Sequence, residues 1–511
     1  MRPARLLATL GVLATWPLSV RAQASSYLPI SHWATPYIEH LIARGLVVDP
    51  TPLTRPWRRS VIVSALKAAD TTALTAPERR VVARIVAALD DPEAGPHGRV
   101  DADLGTTVAS TALRDPLELD RGVPDHQPEP ARGFVSGGLR LEATFGPVVL
   151  VTHPMFDTRL KYDPDFKGKK DRFIAGRDGE AYLSAQWRYG ELFFGTVDRN
   201  WGPPALQGLL ISPAPYSYDH LGITIGTAGL HLDGILTQLD DLADTSGTQN
   251  HRFLVARRLV YHRPGSLTVS LWEGDILAGP GRQLEPWYAN IVSLGLLQQY
   301  DQSTKTNSLL GADVQARIAG TNAFGSLLID DIQIDHGGGA LSGNNEPASY
   351  GFTLGATRPA AGGAWTLFYT RVADLTYRTP NPAETVERQG VGLARYFSDY
   401  DQVTVRGSYL GPFGALLAPE LTLVRQGQGD FHLTYPTVAQ YGSTATFLSG
   451  TPERIVRLAL GGSLDRDRWG VSGNAGVHFV HDLGHLVGSD ATRFVGTLTV
   501  QYRLGGRSAL P

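Results

Sequence analysis

The 511-residue chain has no cysteine, so no disulfide can staple an exported fold and no leader can end in a lipid-bearing cysteine. Its formal net charge is only −3, which gives no electrostatic case for nucleic acid as a partner. It has no later run of about 18 uninterrupted apolar residues, so a spanning helix is not expected. No Gly-x-Ser-x-Gly, His-Glu-x-x-His or phosphate-binding loop occurs. What remains is a chain with 57 glycines and 33 prolines, built of many short alternating segments. That composition suits a soluble all-β protein or an outer-membrane barrel.

Residues 1–24 read as a signal peptide. Arg2 and Arg5 precede the apolar stretch Leu6 to Val20, and Ala22-Gln23-Ala24 is an Ala-x-Ala cleavage site that would leave Ser25 first. Pro17 breaks the apolar stretch and argues against a membrane anchor. Residues 25–95 read as a small helical bundle on the periplasmic side. Thr35-Pro36 starts a helix with Tyr37, Ile38, Leu41 and Ile42 on one stripe, and Gly45 stops it. A second helix over 57–69 turns Val61, Ala65 and Leu66 inward. Thr75-Ala76-Pro77-Glu78 is a capping box before Val81, Val82, Ile85, Val86 and Leu89.

From residue 96 to 511 the apolar period becomes two. In the last segment Phe494, Gly496, Leu498, Val500 and Tyr502 oppose Arg493, Thr497, Thr499, Gln501 and Arg503. Leu310, Ala312, Val314, Ala316 and Ile318 oppose Asp313, Gln315 and Arg317 in the same way. A sandwich buries its apolar face and a membrane barrel turns it to lipid. Connection length separates the two, because short turns here alternate with long loops, as in outer-membrane barrels. A plain count gives about 19 strands, whereas bacterial barrels have an even number. Residues 402–427 are therefore read as one arm bent at Gly411-Pro412-Phe413-Gly414, with Ser398 to Asp401 as a short turn. The expected fold is an all-β transmembrane barrel of about 18 antiparallel strands, both chain ends periplasmic. Trp187, Tyr189, Tyr261, Trp272 and Tyr502 fall near strand ends, where interfacial aromatics belong.

One stretch stands apart. Between alternating segments lies Arg199-Asn200-Trp201-Gly202-Pro203-Pro204, then Leu209-Leu210-Ile211, then Ser212-Pro213-Ala214-Pro215. Its prolines forbid a helix or a central strand, so it is a long, stiff, shaped loop. The Arg-Asn-Trp-Gly-Pro run followed by Ser-x-Ala-x-Pro resembles the signature of the Wzi-type capsule assembly proteins, through Arg199, Asn200, Trp201, Gly202, Pro203, Ser212 and Ala214. Pro204 and Pro213 depart from it, replacing the family's usual Gly and Asn. The resemblance implies an outer-membrane lectin that attaches capsular polysaccharide at the cell surface, with a lumen blocked by loops and the helical domain.

Aromatic rings offer apolar faces to sugar C–H groups, and neighbouring polar side chains pair with hydroxyls. On that basis Arg199, Asn200, Tyr216 and Trp287 are the candidate polysaccharide-binding residues, and Trp201, Gly202, Pro203 and Ser212 the structural loop motif. The partners expected are capsular or other surface polysaccharide and outer-membrane lipid. No cofactor, metal or catalytic residue is expected. Asp330, Asp331, Asp335 and His336 form the densest acidic-histidine cluster and read as a solvated strand end beside Gly337-Gly338-Gly339. An open porin or sugar-selective channel is the competing reading, and a lipid- or glycan-modifying barrel enzyme a third.

Overall fold

The structure is a computed structural model that describes residues 23–91, 95–114, 131–243, 246–302, 306–331 and 347–510. The leader through residue 22, together with Asp335 and His336, lies outside the described residues. Three helices come first: α1 (Thr35–Ala43), α2 (Arg59–Lys67) and α3 (Ala76–Leu89). The Thr75–Glu78 capping box forms in both directions at the start of α3. In α1 the N-cap is Ala34, and the Thr35 hydroxyl donates to the Pro29 carbonyl instead. In α2 Ile62, Val63 and Leu66 face inward, whereas Val61 points outward, because the buried stripe runs through 59, 62, 63 and 66 and position 61 lies about 100° round the helix from 62.

The barrel strands follow. They are β1 (His97–Ala109), β2 (Arg132–Phe145), β3 (Val148–Asp157), β4 (Ala175–Trp187), β5 (Gly190–Thr196) and β6 (Asp219–Gly226). Next come β7 (Leu230–Gln238), β8 (Gln249–Arg263), β9 (Leu267–Gly279), β10 (Asn307–Ile318), β11 (Thr321–Asp331) and β12 (Ser349–Ala360). The last are β13 (Gly363–Val372), β14 (Tyr400–Leu410), β15 (Leu416–Gln426), β16 (Glu453–Arg466), β17 (Trp469–His481) and β18 (Ala491–Ala509). Each pairs antiparallel with the next, and β18 pairs with β1 from Ala509–His97 to Thr497–Ala109, closing an 18-stranded barrel. The two-residue piece Leu242–Ala243 extends the β8 ladder above the rim and is not a further stave.

The strand faces are inverted relative to a soluble sandwich. Val100, Leu104, Val108, Val314, Ile318, Phe494, Leu498 and Val500 are exposed on the outside. Inside, Asp313 accepts hydrogen bonds from Ser270 and Ser326, Gln501 donates to Asp103, and Arg258 pairs with Asp233 at 2.8 Å. This polar-in, apolar-out alternation is the membrane-barrel pattern. Trp187, Tyr189 and Tyr261 lie on the outer surface, as expected. Trp272 does not; it points inward into the luminal core.

The short turns are tight. Ala319-Gly320 (φ 48° and 78°) and Ala361-Gly362 (φ 49° and 77°) both have two left-handed residues, the type I′ geometry that matches strand twist. One expectation is corrected. Residues 402–427 are not one bent arm but β14 and β15, paired from Tyr400–Gln426 to Leu410–Leu416 across a short turn. The surplus strand was instead the stretch before Ser398. Its apolar residues Val391, Leu393, Ala394 and Tyr396 look like a strand but are buried inside the lumen. Ser398 to Asp401 is thus where a long loop re-enters the barrel wall.

The helices cover the short-turn end. The Tyr37 hydroxyl reaches the carbonyls of Gly414 and Ser463 at 3.2 and 3.1 Å, and His40 Nδ1 lies 2.8 Å from Ser408 Oγ. The segment before α1 runs into the barrel. Tyr27 N–H donates to the Tyr182 hydroxyl and the Tyr27 hydroxyl to Glu191, both on inward faces of the wall.

Candidate functional site

The long loop after β5 turns down into the lumen. Its Asn200–Trp201 segment forms a two-residue ladder with Thr54–Arg55 from between α1 and α2. One stretch from the long-loop end and one from the short-turn end therefore meet inside the barrel. Trp201 is 3% exposed and packs with Leu209, Leu210, Ile211, Trp272 and Tyr377. The Arg258 guanidinium lies 4.4 Å from its ring and also donates to Leu53 O, Thr54 Oγ1 and Asp233. Gly202 takes a φ of 138° and donates its N–H to Leu53 O. Asn200 Oδ1 accepts from Gly208 N–H at 2.7 Å, and a Cβ on Gly208 would stand 2.0 Å from the Trp201 carbonyl. These contacts are the physical content of the Asn-Trp-Gly motif: a folded plug whose backbone approach only glycine permits.

Two further long loops lock onto the plug. Ser212 N–H donates to Leu393 O and the Tyr377 hydroxyl to Leu209 O, tying in residues 373–399. Asp399, fully buried, then gathers residues 427–449. It accepts from Gly429 N–H at 3.0 Å, Leu448 N–H at 2.5 Å, Ser449 N–H at 2.9 Å and the Ser449 hydroxyl at 2.6 Å. His432 adds a bridge, 2.6 Å from Asp430 and 2.8 Å from Glu387. Burial disfavours its charge, but the two carboxylates outweigh that and lift its pKa to about 10.

Three of the four candidate binding residues lie within or against the plug. Asn200 is buried and holds its own loop through Gly208 and Leu206. Arg199 donates to His220 and lies against Phe193 and Tyr27. Tyr216 donates to Asp163 at 2.5 Å, between the guanidiniums of Arg114 and Arg177. Trp287, 38% exposed, lies on the short helix Pro286–Ala289 of the loop after β9, which folds back against the outer face of the wall through Gly295 and Leu296 N–H to Glu273. Asp330 accepts from the Tyr377 N–H, which ties the acidic strand end to the loops.

Two features escaped sequence reasoning. Four of the chain's six lysines, Lys161, Lys167, Lys169 and Lys170, fall in the loop between β3 and β4. Asp163 and Asp165 of that loop are turned inward beside Arg114, leaving Lys161, Lys167, Lys169 and Arg172 exposed as a basic face. Lysine clustering was the available signal. The second is a luminal chamber of about 390 Å³ beside the plug, lined by Phe368, Arg395, Phe397, Tyr400, Arg406 and Arg457 among others. Its residues come from five barrel strands, from α1 and from four connecting segments, and no local pattern announces it. Asp91, His97 and Glu142 come close enough together to suggest a metal, but Arg59 reaches between them and pairs with both acids.

These features define a class: an 18-stranded barrel whose lumen is filled by its own loops and N-terminal segment. The fold is that of Wzi. The solved structure of Wzi, an outer-membrane protein involved in group 1 capsule assembly in Escherichia coli and a carbohydrate-binding β-barrel, matches with a TM-score of 0.59. The match covers 94% of this chain and 99% of that one, at 15% identity. The porin OprD of Pseudomonas aeruginosa matches with a TM-score of 0.45, over 80% of this chain and 95% of that one at 11% identity. A BenF-like porin of Pseudomonas fluorescens also reaches 0.45, over 80% and 99% at 9% identity. No family model and no curated protein matches the sequence.

Proposed function

We propose that this protein resides in the outer membrane, long loops outward and helices in the periplasm, and holds a surface polysaccharide by binding alone. The observation that carries the reading is the filled lumen. The Thr54–Trp201 ladder and the loops packed on it occupy the space a porin keeps for solute. The interlocked loops carry the Tyr435–Tyr441 edge-to-face pair, 6.3 Å apart, the loop after β9 carries the exposed Trp287, and the β3–β4 loop carries a basic face. Rigid rings and fixed polar groups are what a glycan surface requires. In this reading Trp287 meets the polysaccharide, while Arg199, Asn200 and Tyr216 hold the plug that fixes the surface. The Wzi fold supports the assignment, since that protein is described as carbohydrate-binding.

The test is conductance in a planar bilayer. The intact chain should stay near the baseline of the bare membrane. Large, stable open channels would contradict the binder and return the sugar-selective channel.

A further inference from the structure

The luminal chamber holds four arginines and two glutamates among its lining residues. Three of the arginines are matched. Arg55 pairs with Glu39 at 2.7 Å and with Asp49 at 2.7 Å. Arg406 pairs with Glu420 at 2.9 Å, and Arg457 lies 3.4 Å from the same carboxylate. Arg395 is different. Its side chain belongs to a residue only 3% exposed, and no carboxylate lies within ion-pair distance of it among the described residues. Among the described residues its guanidinium makes one hydrogen bond, to Thr353 Oγ1 at 3.3 Å, and its Nε makes none. A buried, unpaired guanidinium is among the most costly arrangements in a folded protein, and chains keep it where an anion completes it.

The surroundings of Arg395 say which anion fits. Phe397 and Tyr400 stand edge to face, ring centres 4.4 Å apart, and Phe368 and Tyr396 line the same space. Gln402 and Asn474 add side-chain amides. Aromatic faces beside amides receive a ring with an apolar C–H face and a rim of hydroxyls. A planar guanidinium receives a carboxylate through two parallel hydrogen bonds. The volume, about 390 Å³, is that of a small-ligand pocket.

We propose that this chamber is a binding site for a carboxylate-bearing sugar, with Arg395 as the anchor of the carboxylate. The inference rests on the polysaccharide-binding reading and narrows it to a uronic acid class of ligand. It also places a sugar site beside the plug, separate from the surface that carries Trp287.

The probes are free glucuronate, glucose and acetate, titrated calorimetrically into the full-length protein in detergent. Glucuronate should bind saturably and at least tenfold more tightly than glucose or acetate. Arg395→Gln should erase that preference, and Arg395→Lys should keep part of it, because it keeps the charge without the fork. Heat-modifiable gel mobility checks that each variant is folded. Should neither variant fold, Phe397→Ala takes their place and should weaken glucuronate at least fivefold. Binding of glucuronate no tighter than glucose, or unchanged binding by Arg395→Gln, would overturn the site. Acetate binding as tightly as glucuronate would overturn its assignment to a sugar. Glucuronate binding by a protein that retains no polysaccharide on cells would leave the Arg395 site standing and refute the proposed function alone.

Discussion

Replacing Trp201 with alanine should loosen the plug while leaving the barrel wall closed. The indole is almost wholly buried, against Leu209, Leu210, Ile211 and Trp272, with Arg258 over its ring. A tryptophan buries about 150–250 Å², which at about 25 cal/mol/Å² is worth about 4–6 kcal/mol as an upper figure. Cavity-forming Trp→Ala changes cost about 3–5 kcal/mol, and Pro203-Pro204 stiffens the loop against collapse. A loss of about 4 kcal/mol is the working figure, and it raises the open population of the plug by nearly three orders of magnitude. It falls on local opening, because the strand ladders do not depend on the indole. The assay is amide exchange at position 202, whose N–H donates to Leu53 O across the lumen, together with bilayer conductance of the same variant. Exchange should accelerate strongly and brief openings should appear. Unchanged exchange and a silent bilayer would refute the anchor role and make Trp201 a contact residue.

Asp399→Ala removes the acceptor for three backbone N–H groups and a hydroxyl, at about 1–3 kcal/mol for each buried donor left unpaired. Chymotrypsin should then cut at Phe431 or Tyr441 at least tenfold faster than in the parent protein. Docking of the helices should weaken in acid. Burial, aided by Arg44 and opposed by Glu78, lowers the His40 pKa from its usual 6.5 to about 4, so the docked state favours the neutral ring. The contribution is complete above about pH 6.5, declines as pH falls, and is exhausted once the folded group titrates near 4. Protease access to α1 should follow that window, and His40→Asn should flatten the profile. Trp287→Ala should leave thermal unfolding within about 0.5 kcal/mol of the parent, as exposed substitutions do, while lowering polysaccharide retained on cells. Equal retention would remove Trp287 from the binding surface.

The barrel was legible because its signal is local. Alternation in segments such as 308–318 and 491–503 follows from lipid on one side and a polar lumen on the other, and each strand reports it alone. The Thr75 capping box was readable for the same reason. The plug was legible only as a stiff loop. That Asn200–Trp201 pairs with Thr54–Arg55 depends on chain segments far apart in sequence meeting inside the lumen. The stretch before Ser398 misled because burial in a luminal core selects the same apolar residues as a strand facing lipid. Trp272 misled for the same reason, since an aromatic near a strand end suits an interfacial girdle and a packed interior equally. Asp399 carried no motif, as its four donors come from residues that only the folded loops bring near.

The measurement that bears most directly on the central claim is the partition of surface polysaccharide between cells and medium. It compares cells lacking this protein, cells restored with it, and cells carrying the Trp287→Ala form. The binder predicts polysaccharide shed into the medium without the protein, retention on restoration, and partial shedding with Trp287→Ala, at equal total synthesis. The same fraction retained with and without the protein would contradict it.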